Sequence, residues 1–222
     1  MPEIDALQRV ADLRLRGASA MPVRVRWPTS ARTVGPLAVF LPDPDPRNGV
    51  DRADDELCRR LCAGVGAVVL CAPLRSARLG SADSPLERAA SVLEWSAEHA
   101  VELGADPNRL LLAGSGAGAA AAVVLAFRAR DRGWPHIARQ LLVLRGDGSC
   151  PGESCAAAQS AIDERPMPTG VAAPAIVAAS EGRCGRAAER LRARGIDVDE
   201  HPLEELESVW RALRRALGEN AA

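Results

Sequence analysis

Arg109-Leu110-Leu111-Leu112-Ala113-Gly114-Ser115-Gly116-Ala117-Gly118-Ala119 decides the fold. An apolar run passes into a glycine-rich turn, and the turn into an alanine-rich helix from about residue 117 to 132. Gly114 and Gly118 are small enough to let a strand and a helix approach closely around a tight turn. The stretch therefore reads as strand, sharp elbow, helix.

Working outward, the same alternation repeats. Upstream, Ser84-Pro85-Leu86-Glu87 supplies an N-cap, a proline at the first helical position and an acid three residues after the cap. Leu86, Ala90, Leu93, Ala97 and Ala100 give that helix its buried stripe, and Gly104 stops it. Residues 66–71 (GAVVLC) form a continuous apolar run, the pattern of a strand covered on both faces. Residues 51–63 are helical in pattern. The apolar run 37–41 ends in the turn-rich Pro42-Asp43-Pro44-Asp45-Pro46. Val23 and Val25 alternate with Arg24 and Arg26, which suits an edge strand. Ile4, Leu7, Val10, Ala11 and Leu13 predict a short amphipathic helix over 3–16. Downstream, strands are expected at 140–144, 175–179 and 196–200, with helices at 184–194 and 203–217. Strands alternating with helices at this spacing predict a mostly parallel sheet with helices on both faces.

The composition sets bounds on partners. The 222 residues suffice for one domain with a single core, so 1–222 is read as one unit, with its N-terminal helix inside 1–20. Apolar residues make up 47% and charged residues 26%, with a net charge of −1. That balance gives no footprint for nucleic acid or for an anionic membrane. No 18-residue apolar run occurs and the first residues are acidic rather than basic, so a cytoplasmic location is expected. Six cysteines are present, none in a C-x-x-C pair or at zinc-finger spacing to a histidine, so no metal is expected. Cys58, Cys62 and Cys71 read as buried thiols. Cys150 and Cys155 flank Pro-Gly, where a redox pair is the alternative to two loop thiols.

From Cys58 to Leu144 the chain resembles the hormone-sensitive-lipase-like branch of the α/β-hydrolases. The resemblance is carried in order by LCRRLCAGVGAVVLCAPLR and SPLERAASVLEWSAEHAVELGADPNRLLLAGSGAGAAAAVVLAFRARDRG. It continues through Pro174-Ala175-Ile176-Val177 and Ala188-Glu189-Arg190-Leu191. It implies an α/β-hydrolase-like fold with a reduced cap, because the missing length lies at the N-terminus and between 146 and 172.

The same resemblance locates where hydrolytic residues should be. Hydrolysis in this fold needs a serine on the elbow, backbone donors for the oxyanion, an acid and a histidine. The family's nucleophile falls on Gly116, and Ser115 takes the place usually held by Asp. The family's glycine-rich oxyanion motif is replaced by Leu41-Pro42-Asp43-Pro44; proline has no N–H, and Asp43 would repel an oxyanion if it faced the site. The family's acid maps near Gly182, with Glu181 beside it, and the loop that should carry the histidine is missing after His201-Pro202. His99 and His136 read as surface or packing residues.

Four coincident departures lead to the expectation of a non-catalytic hydrolase-like protein. It would act as a homo-oligomer, as the partner of an active enzyme, or as a ligand binder without cofactor. The turn of Gly114, Ser115, Gly116, Ala117 and Gly118 presents N–H groups at a helix N-terminus, which would suit a small anionic ligand. Trp210 on the last helix is the candidate interface anchor, against packing of that helix on the sheet. The alternative is an active carboxylic-ester hydrolase with a rearranged site built on Ser115, with Glu181 and His201 as candidate partners.

Overall fold

Strand β3 (Gly35–Leu41) is buried at every position, and its side chains alternate between two cores. The computed structural model describes residues 9–15, 21–29, 34–43, 50, 52–73, 84–144, 175–179, 184–193 and 195–218. Among the described residues, eight strands form one sheet in the order β1-β2-β4-β3-β5-β6-β7-β8. The other strands are β1 (Arg9–Leu15), β2 (Met21–Trp27), β4 (Val68–Cys71), β5 (Ala105–Ser115), β6 (Arg139–Leu144), β7 (Ala175–Ala179) and β8 (Val198–Pro202). From β4 to β8 all neighbours are parallel; β1 and β2 join antiparallel at one end. The fold is the α/β-hydrolase architecture, a mostly parallel sheet with helices on both faces.

Period-two alternation sorts the central strands. Leu37, Val39, Leu41, Leu110 and Leu112 face a core closed by α2 (Pro85–Glu98), α3 (Ala117–Arg132) and α4 (Cys184–Ala193). Ala38, Phe40, Leu111 and Ala113 face the other core, closed by α1 (Arg52–Val65) and α5 (Leu206–Ala216). Burying each such leucine or phenylalanine stabilises the fold by roughly 1.5–3 kcal/mol.

The N-terminal segment differs from expectation. Residues 9–15 form a strand rather than part of a helix over 3–16, and the rest of 1–20 lies outside the described residues. Within β1, Ala11, Leu13 and Leu15 turn inward at alternate positions while Val10 is exposed. Asp12 lies directly opposite Arg24 of β2 and accepts two hydrogen bonds from it, at 2.8 and 3.2 Å. Cross-strand pairing thus satisfies both the backbone and the charges, which an isolated helix of this length would not. With β1 in place, β2 is not the edge strand its alternation suggested.

Trp210 is buried rather than presented at an interface. It is 2% exposed, and its indole lies so close to Gly64 of α1 that a Cβ at 64 would meet the ring. The packing of α5 against α1 leaves no room for a larger residue there. Cys58, Cys62 and Cys71 are buried free thiols. Cys150 and Cys155 lie outside the described residues, and no described helix is long and apolar enough to cross a membrane.

Candidate active site

β3 and β5 run parallel as neighbours, with Leu41 opposite Gly114. Their carboxyl ends therefore deliver the residues that follow, Asp43 and the elbow, to the same rim of the sheet, where ligands bind in open α/β sheets. A single residue, Gly116, separates the end of β5 from the start of α3. Gly116 makes that turn with φ 51° and ψ −121°, a left-handed backbone that a side chain resists. A Cβ on Gly114 would overlap the backbone of Gly118, and one on Gly118 would overlap the Leu41 carbonyl. Glycines here are what bring strand, helix and the 41–43 segment together.

Ser115 is the last residue of β5, on the same side as Leu111 and Ala113, the face covered by α1. Its Oγ donates a 2.7 Å hydrogen bond to Asp54 Oδ2 in the first turn of α1. The Asp43 backbone N–H lies 2.9 Å from Ser115 Oγ and 3.0 Å from Asp54 Oδ2, and donates to both. Asp54 is 0% exposed and Ser115 1%. Two acids and a hydroxyl thus meet at the rim under cover of the chain itself.

The Asp43 side chain completes the arrangement. Its Oδ1 accepts the Ala117 N–H at 3.0 Å, so it caps α3, whose N-cap Gly116 has no side chain to do so. Asp43 faces the elbow, and its carboxylate meets a backbone donor there. The carboxylate answers the free N–H at the positive end of a helix. It also fills the space above Gly116, where an added Cβ would overlap it. The anion at this turn is the chain's own.

One of the expected site residues, His201, is not part of the cluster. His201 sits in β8 opposite Ala178, with Nδ1 3.0 Å from Ser208 Oγ and Nε2 3.1 Å from Asp199 Oδ2. Register along β8 holds it against the start of α5 rather than at the elbow. Glu181, Gly182 and Pro44 lie outside the described residues. His99 stacks on Trp95 at 4.4 Å, and His136 is exposed. Among the described residues no three His, Cys, Asp or Glu side chains converge to hold a metal.

Asp54 was not singled out in the sequence, although a signal existed. It falls on the helical stripe of Leu57, Cys58, Leu61, Cys62 and Val65, all buried. An acid on an apolar stripe has to find a hydrogen-bond partner inside.

Comparison with known proteins agrees with this architecture. Esterase LipI of Mycobacterium tuberculosis is 34% identical over 137 residues, covering 60% of this chain and 43% of that protein. Carboxylesterase NlhH of the same organism is 33% identical over 126 residues, covering 57% and 40%. The matched region thus spans about two fifths of each relative, 43% and 40%. The crystal structure of EstE1, a thermophilic carboxylesterase cloned from a metagenomic library, superposes with a TM-score of 0.72. It covers 96% of this chain and 90% of that one at 21% identity, which speaks for the fold. The names of the two relatives overturn the expectation of a non-catalytic protein acting by association, and favour the alternative of an ester hydrolase. The family described as alpha/beta hydrolase fold matches residues 48–178, more than half of the chain, and the chain belongs to that family.

Proposed function

We propose that the protein is a carboxylic-ester hydrolase whose nucleophile is the Ser115 hydroxyl. One observation carries the reading. Asp43, whose backbone N–H meets that hydroxyl, also places its Oδ1 3.0 Å from the Ala117 N–H, which thus already holds a carboxylate oxygen. A carboxylate is the chain's own stand-in for the oxyanion of a tetrahedral intermediate, whose charge such a donor stabilises. The esterase and carboxylesterase relatives support the same reaction class.

Turnover in this reading requires the 42–43 segment to move. Asp43 occupies Ala117 through its side chain and one lone pair of Ser115 Oγ through its backbone N–H. A single displacement of Asp43 would release the Ala117 N–H and that lone pair of Ser115 Oγ together. The hydroxyl could then attack an ester carbonyl while the Ala117 N–H receives the oxygen.

Hydrolysis of p-nitrophenyl acetate and labelling by a fluorophosphonate probe test the proposal. The expected result is a covalent adduct located on Ser115 by mass spectrometry, with adduct and turnover both lost in Ser115→Ala. A probe that labels no serine, or turnover that survives Ser115→Ala, would overturn it.

A further inference from the structure

A serine hydroxyl is a weak nucleophile unless a neighbouring base takes its proton. Among the described residues no imidazole reaches Ser115, since His99, His136 and His201 are placed elsewhere. The acceptor of the Ser115 O–H is the Asp54 carboxylate, at 2.7 Å. We propose that Asp54 is the general base of this site, taking directly the proton that an imidazole would otherwise carry. The inference rests on the ester-hydrolase reading above and extends it to a second residue.

Three observations converge on Asp54. The distance lies within the hydrogen-bond reach required of a base. Its full burial keeps bulk water from competing for Oδ2. Its backbone stands in the first turn of α1, where free N–H groups favour a negative side chain. Asp54 is thus presented to Ser115 by a helix, not by a loop.

The step balances without any group beyond substrate and water. Ser115 Oγ forms a bond to the ester carbonyl carbon as its proton passes to Asp54 Oδ2, and the carbonyl π pair moves to oxygen. Collapse breaks the bond to the alkoxy group, which leaves with the proton from Asp54. Water then attacks the acyl carbon and gives a proton to Asp54. The acid product departs as that proton returns to Ser115 Oγ.

Asp54→Asn separates a base from a structural partner, because an amide oxygen can still accept the Ser115 hydrogen bond but cannot take the proton. In the full chain, Asp54→Asn should keep the wild-type circular dichroism and slow both fluorophosphonate labelling and p-nitrophenyl acetate hydrolysis on the order of a hundredfold or more. The wild-type rate should fall toward acid pH as one carboxylate is protonated, and that limb should vanish in Asp54→Asn. Wild-type labelling at Ser115 with an unaffected Asp54→Asn, or an acid limb that persists in it, overturns the inference alone. A wild-type chain that neither labels nor turns over removes the hydrolase reading and the inference with it. If Asp54→Asn does not fold, Asp54→Glu is read instead. A slowed rate with the acid limb retained supports the inference, and an unchanged rate overturns it.

Discussion

A Cβ at residue 116 would overlap the Asp43 carboxylate, and the left-handed φ of 51° there adds strain for any side chain. Gly116→Ser should therefore destabilise the protein by about 1–3 kcal/mol. Adding Asp43→Gly should return the steric part, giving a coupling of more than about 0.5 kcal/mol in a urea double-mutant cycle. Additive effects would show that the two positions do not touch in solution. At this scale the sequence was legible in part. The glycines at 114, 116 and 118 announced the turn, because few other roles explain three glycines so placed. The pairing of Ser115 with Asp54 was not legible, because an acid two residues into a helix ordinarily reads as solvated. Only its position on the stripe of Leu57, Cys58 and Leu61 argued otherwise.

Helix starts and buried strands were read closely from local chemistry. Ser84 accepts the Glu87 N–H at 3.1 Å, with Pro85 as first helical residue, as the capping pattern required. Ser84→Ala should lower stability by about 1 kcal/mol without changing the fold, measured as a shift in the urea midpoint at constant slope. A change below a few tenths would mean the cap is replaced by water at no cost. The N-terminal element was misread for a physical reason. Val10, Ala11 and Leu13 satisfy helical spacing, but Ala11, Leu13 and Leu15 satisfy alternation equally well, and seven residues cannot discriminate. The decision came from β2, whose backbone was free to pair and whose Arg24 meets Asp12. Such tertiary partners are invisible in a local window.

Across the whole molecule, burial of thiols ties stability to alkaline pH. Burial pushes the Cys62 thiol up to about 12, and the Cys58 thiol also well above its ordinary value of 9.0. Both are proton-retaining in the native state, so the unfolded chain gives up these protons first as pH rises. Their stabilising contribution is complete below pH 9.0 and is lost progressively as pH climbs through the window from 9.0 to about 12. The urea midpoint should decline above pH 9, and Cys62→Val should make that decline shallower while Cys58 maintains the remainder. An equal slope in both proteins would remove Cys62 from the account. The parallel topology has a different consequence, which concerns the order in which the chain is made. Ser115 lies 61 positions after Asp54 and 72 after Asp43. A polypeptide growing from its N-terminus would display β3, α1 and β4 well before β5 leaves the ribosome. Until then one side of β3 has no neighbour and Asp54 keeps its water. The hydrogen bond between Ser115 and Asp54 comes into being only when β5 slides in beside β3, so it follows the closing of the sheet and cannot precede it.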